Sequence, residues 1–463
     1  MFKSLIVALL CLACGLAQAD GVHEYTLKNG LKLLVKEDHR APVVVSQIWY
    51  KIGSSYEHNG ITGVSHALEH MMFQGTPKHP DGEFSRIISE NGGNENAFTS
   101  SDYTAYFQTL EKSRLPISFE LEADRMRNLS LKEEDFKKEI EVVKEERRWR
   151  TEDDPESMTY EIAMATAFQT SPYRNPTIGW MADLKSMSVD KVKEWYRRWY
   201  APNNATLVVA GDVKPDQVYA LAKKYFGGLK PEKIIQSADR PEVPQEGIKR
   251  VTVERPAEVP YLLMIYKTPA LKEALAAQSV EDWEPYALEV LSGILSGGGS
   301  ARFDANLIRG KEIAAKVDSG YQMTSRLEGV FLIDGTPANG KTVADLEAAV
   351  RGEIAALQND LVSPEELERV KAQEISDDVY QRDSVFYQAM ILGTLESVGL
   401  PWKFVDEYVD HIKAVTAEQV RAVAQKYFKD ETLTVAALKP LPMGKGQRRR
   451  GPPPGGPHND VAR

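Results

Sequence analysis

The run "SVDKVKEWYRRWYAPNNATLVVAGDV" (Ser188–Val213) is echoed late in the chain by "TAEQVRAVAQKYFKDETLTVAAL" (Thr416–Leu438). Each opens on a Ser or Thr that can cap a helix. Each continues as an amphipathic helix with Val at its fifth position, then an aromatic pair, then an apolar strand. Earlier segments repeat the correspondence. "VKEDHRAPVVVSQIWYKIGS" (Val35–Ser54) reads as a β-branched strand after a turn, and "VERPAEVPYLLMIYKTPA" (Val253–Ala270) has the same shape. The offset is about 220 residues, too long for a solenoid period and right for a duplicated domain. Strands followed by runs of helices in each half predict an α+β fold. The expectation is two homologous domains, each an antiparallel sheet packed with helices.

The length of 463 residues suits two such domains. The boundary is expected in the proline- and charge-rich stretch "LKPEKIIQSADRPEVPQEG" (Leu229–Gly247), giving units 20–235 and 236–442. The residues from Met443 onward are almost free of apolar side chains and are expected to be disordered. A formal charge of -10 argues against a nucleic-acid binder, which needs a basic face.

The first residues, "MFKSLIVALLCLACGLAQAD", combine Lys3, an apolar core and a small-x-small site at Ala17–Ala19. They read as a signal peptide over residues 1–19. Lipid attachment at Cys14 is the weaker alternative. No later segment reads as a permanent membrane anchor. An exported protein is expected, periplasmic if the source is Gram-negative. Both cysteines, Cys11 and Cys14, lie in the leader, so the mature chain has neither disulfides nor a thiol nucleophile.

The chain has eight histidines, and two of them flank a glutamate in "GVSHALEHMMFQGT" (Gly63–Thr76). On a helix of about 100° per residue, His66, Glu69 and His70 fall within one stripe of about 100°. The order is H-x-x-E-H, the inverse of the commoner H-E-x-x-H. Three polar groups interrupting an apolar helix are costly unless something satisfies them. A zinc ion does so, with three protein ligands and one open position. Zinc can bring the pKa of a bound water from about 16 to about 7, and Glu69 is placed to take the proton. A third ligand is expected in "FKKEIEVVKEERRWR" (Phe136–Arg150), which offers Glu139, Glu141, Glu145 and Glu146. Glu139 and Glu146 are seven apart and share a stripe, but spacing does not choose among the four.

These segments together resemble the pitrilysin, insulysin and mitochondrial processing peptidase family of inverted zincins. "GVSHALEHMMFQGT" is similar to its zinc helix, and "NGGNENAFTSSDYTAYF" (Asn91–Phe107) to its G-G-x-x-N-A-x-T segment. "EIEVVKEE" (Glu139–Glu146) resembles its distal E-x-x-V-V-x-x-E helix. The resemblance implies one zinc per chain on His66, His70 and Glu146, with Glu69 as base and Glu139 bracing the site. It implies that Asn96, Ala97 and Phe98 form a sheet edge that pairs with an extended peptide, and that the chain is a zinc endopeptidase enclosing its substrate in half of a clamshell chamber. The alternative it leaves is a non-catalytic subunit of the same fold.

In the second half, "YALEVLSGIL" (Tyr286–Leu295) aligns with the zinc helix, with Tyr286 for His66 and Val290 for His70. That copy is expected to hold no metal. The family's substrate-binding arginine and tyrosine correspond to Arg309 and Ala315, so the tyrosine is missing, and Tyr321 lies six residues further on. This departure implies a homologous partner subunit that supplies an arginine–tyrosine pair.

Overall fold

In the computed structural model, residues 21–235, 241–276 and 279–443 are described. The expected leader over 1–19, with Cys14, lies outside them, as does all of the expected tail but Met443. The first sheet has six strands: β1 (Val22–Thr26), β2 (Lys32–Glu37), β3 (Val43–Tyr50), β4 (Asn94–Thr99), β5 (Thr104–Glu111) and β6 (Ala205–Gly211). The second has five: β7 (Lys249–Pro256), β8 (Tyr261–Thr268), β9 (Ala314–Tyr321), β10 (Gly329–Pro337) and β11 (Leu433–Leu441). Their orders are β1-β2-β6-β3-β5-β4 and β7-β11-β8-β10-β9. Without β1, the two orders correspond strand for strand. The chain is α+β, as the sequence predicts.

One pair in each sheet departs from the expected antiparallel pattern. β2 runs parallel to β6, and β7 runs parallel to β11. β6 and β11 each return after a long helical stretch, and only such a crossover can bring a strand back parallel. Both returns follow the helices anticipated from the repeated run. Ser188 caps Val189–Trp199 by accepting from the Lys191 N–H, and Thr416 caps Ala417–Tyr427 by accepting from Gln419. Their fifth-position valines, Val192 and Val420, are fully buried.

β6 and β8 are nearly continuous apolar runs because both faces of each sheet are covered. In the first sheet, Ile48, Tyr50, Leu207 and Val209 pack into the first half's own core. Val45, Trp49, Val208 and Ala210, one residue out of phase, pack into the core of the second half. Helix Val385–Val398 of the second half covers that face. Its Gly393 lies so close that a Cβ there would sit 2.0 Å from Trp49. The second sheet is treated likewise. Leu263 and Ile265 pack with Ala163, Ala167 and Phe168, from helix Pro155–Ala167 of the first half and the residue after it. Each half therefore lends a helix to the other's sheet. Arg326 strengthens the join: its side chain is 3.4 Å from Asp102, and its guanidinium stacks over Tyr56 at 4.2 Å.

Candidate metal centre

Helix Val64–Met71 carries the H-x-x-E-H run. It starts at Gly63, whose φ of 85° lies in the left-handed region that favours glycine. A Cβ at Gly63 would also meet the Ile178 carbonyl oxygen at 2.5 Å. The buried carboxylate of Glu57 accepts from Gly63 N–H (2.6 Å) and Ser65 N–H (2.8 Å), closing the first turn. Trp195 Nε1 donates to Ser65 Oγ at 3.1 Å and ties the helix to Val189–Trp199.

His66 and Glu69 are both buried. The two imidazole rings are 4.8 Å apart and nearly perpendicular, at 76°. Helix Glu133–Arg147 passes over them and supplies Glu146. Glu146 Oε2 lies 3.6 Å from His66 Nε2 and 3.4 Å from His70 Nε2. Ligand atoms at about 2.0–2.1 Å from a tetrahedral zinc are about 3.4 Å from one another, so both distances suit a shared ion. All three ligand atoms lie within 4.8 Å of one another, and this is the one such cluster among the described residues. On the far side of the ring, His70 Nδ1 bonds Glu139 Oε2 at 3.2 Å. Gln74 Nε2 donates to the other Glu139 oxygen at 3.0 Å. The Glu139 contact on Nδ1 turns Nε2 toward the cluster, the arrangement a carboxylate behind a metal-binding histidine provides.

The titration of the side chains fits a cation. Burial pushes His66 down to about 4, which keeps its imidazole neutral and able to ligate. Burial also opposes charge on His70, but its hydrogen bonds to Glu139 and Glu146 carry it up to about 10. Glu146 is held down at about 2: burial works against this, and the His70 hydrogen bond with the charges of Arg150 and His70 outweigh it. The carboxylates thus draw one positive charge into the pocket, and a divalent ion would displace the His70 proton and take its place. Burial raises Glu69 to about 7 despite a hydrogen bond from the Thr99 hydroxyl to its Oε2.

The remaining expected residues sit as follows. Glu141 and Glu145, at 64% and 59% exposure, pair with Lys144 and Arg148 on the outer face of their helix. Asn96, Ala97 and Phe98 lie in β4, the edge strand of the first sheet. Ala97 is buried, and its N–H donates to Asn96 Oδ1 at 2.8 Å. Phe98 packs edge-on to Trp49. Arg309 donates to the Gly299 carbonyl and lies 3.8 Å from Asp304. No contact joins it to the cluster among the described residues. Tyr321 closes β9, with its hydroxyl donating to the Pro269 carbonyl at 2.5 Å.

Sequence reasoning passed over Thr99, Glu57 and Arg150. Thr99 was detectable, because strand period two puts it on the face of the buried Ala97. Arg150 was detectable as the i+4 neighbour of Glu146. Glu57 had no local signal.

Residues 32–180 match the family model described as insulinase (peptidase family M16), and residues 186–374 match the one described as peptidase M16 inactive domain. A Helicobacter pylori protein named zinc protease PqqE is 34% identical over 90% of this chain and 92% of its own length. A crystal structure of a protease from Helicobacter pylori superposes with a TM-score of 0.85 at 30% identity, covering 91% of this chain and all of that one. The periplasmic protease PqqL from Escherichia coli has the same fold, with a TM-score of 0.75 at 19% identity; the match spans 92% of this chain and 48% of PqqL. The chain belongs to peptidase family M16, the family its sequence motifs resemble.

Proposed function

We propose that this chain is a zinc-dependent endopeptidase acting on peptides or unstructured segments. The observation that carries the reading is the convergence of His66 Nε2, His70 Nε2 and Glu146 Oε2 on one point. These three residues would hold a single zinc ion. Zinc there supplies a Lewis acid that polarises a carbonyl and acidifies water.

The chain's own groups do the rest. Glu139 holds the His70 tautomer. The Thr99 hydroxyl engages Oε2 of Glu69 and leaves Oε1 free to take a proton from the attacking water. Glu69 then returns that proton to the leaving amine. An ionisation near neutrality suits a group that must both accept and give a proton. β4, which carries Asn96, Ala97 and Phe98, is an open edge whose alternate residues turn backbone N–H and C=O groups away from β5, where they can recognise an extended peptide with little regard for side chains.

Residues 20–235 form the metal-binding unit and 236–442 the metal-free one in this reading. A partner of similar fold completes the chamber and supplies an arginine–tyrosine pair. The span of the PqqL match, about half of that protein, supports such pairing. The leader places the chain outside the cytoplasm, and among the described residues no helix is long and apolar enough to cross a membrane.

The test is zinc content of the purified protein and cleavage of a quenched peptide, with and without a chelator. Glu69→Gln should keep zinc and lower kcat by about 100- to 10,000-fold. A zinc-free, inactive protein would instead favour the non-catalytic subunit, and normal cleavage by the Glu69 variant would remove that residue from the mechanism.

A further inference from the structure

We propose that Arg150 is a positioning residue for Glu146, occupying one carboxylate oxygen so that the other alone faces the two histidines. The inference rests on the metal-site reading above. Glu146 stands near the end of helix Glu133–Arg147, and the backbone then enters a π-helical turn, Arg148–Glu152. Such a turn takes an extra residue and re-aims the side chains after it. Arg147 anchors it: buried, it donates to both oxygens of Glu161 at 2.7 Å. Arg148 turns outward to Glu145 at 2.8 Å. Arg150 turns back, and its Nη1 lies 3.0 Å from Glu146 Oε1.

The two Glu146 oxygens are therefore divided. Oε1 meets a guanidinium, while Oε2 is the atom 3.6 and 3.4 Å from the histidine nitrogens. A charge-assisted guanidinium contact is directional, so it restrains rotation of the carboxylate as well as occupying one oxygen. A carboxylate with both oxygens free can bind a metal through either one or two. With Oε1 engaged, Glu146 is limited to one, and a coordination place stays open for substrate. Arg150 is 38% exposed and borders a cavity of about 930 Å³ lined by both halves of the chain. It thus stands between the cluster and the space a peptide would enter.

The test compares wild type, Arg150→Ala and Arg150→Lys by zinc affinity in chelator competition, by the electronic spectrum of the cobalt(II)-substituted protein, and by kcat and KM. Arg150→Ala should keep zinc affinity within about 10-fold yet lose about 10-fold or more in kcat, with KM moving less. Its cobalt absorption should weaken, as a carboxylate taking a second place raises the coordination number. Arg150→Lys should restore part of both signals. A wild-type cobalt spectrum and kcat in Arg150→Ala overturn the proposal. So does a variant that loses its metal and melts early, because Arg150 would then be an anchor of the turn only. If wild type itself binds neither zinc nor cobalt, the metal-site reading has failed, a separate outcome.

Discussion

Helices Val64–Met71 and Glu284–Ser296 occupy corresponding places, each following a central strand (β3, β8) and preceding an edge strand (β4, β9). They surround a buried glutamate differently. The first sets Glu69 beside two imidazoles that converge with Glu146, in a pocket that calls for a cation. The second keeps a glutamate, Glu289, at the corresponding position but has Tyr286 and Val290 where the histidines stood. Tyr286 is buried and stacks on His411 at 4.4 Å, and Val290 is fully buried. Glu289 and Glu374 line a cavity of about 250 Å³. Burial, then the charge of Glu374, pushes Glu289 up to about 8. Burial, then Asp377, pushes Glu374 up to about 7. Burial raises these carboxyls as it raises Glu69, but in the second half no imidazole pair stands beside them.

Writing the second half's residues into the first should have the largest effect. The double substitution His66→Tyr and His70→Val removes two ligand nitrogens, so zinc content and peptide cleavage should both fall to background. Circular dichroism should show the fold retained, as the second half tolerates those residues. Stoichiometric zinc in that variant would break the comparison.

A smaller effect is expected at Thr99, which has no role in holding the ion. Thr99→Val should lower kcat about 10-fold while zinc affinity stays near wild type, because it frees Glu69 without touching a ligand. Thr99→Ser, which restores the hydroxyl, should recover most of the rate. Equal rates for the valine and serine variants would show that the hydroxyl does not orient the base.

A last effect concerns stability, not catalysis. Folded Glu289 keeps a proton that the unfolded chain releases above about 4.5. Between that pH and about 8 the native state binds more protons, so stability should fall as pH rises, by up to about 1.4 kcal/mol per pH unit. Glu289→Gln should flatten this slope in denaturant titrations across the window. An unchanged slope would mean that Glu289 is ionised in the fold and that burial does not hold it neutral.

Periodicity carried much of this into view. Helical spacing put His66, Glu69 and His70 on one stripe, and Glu139 with Glu146 on another, because the 3.6-residue turn is a property of the backbone alone. The repeated cap–helix–strand run revealed the duplication, since N-caps and alternating burial are local signals. Other choices needed the assembled fold. Among four glutamates on one helix, spacing left the third ligand open. Packing turns Glu146 inward and leaves Glu141 and Glu145 at 64% and 59% exposure with lysine and arginine partners. The exchange of helices Pro155–Ala167 and Val385–Val398 between the halves was not legible, because an apolar face shows that it will be covered but not by what. Contacts such as Glu57 on the first turn of helix Val64–Met71, or Arg326 on Asp102, depend on which distant loops the sheets bring together. Sequence period decides which side chains share a face, whereas the meeting of two faces is decided by the packing of the whole chain.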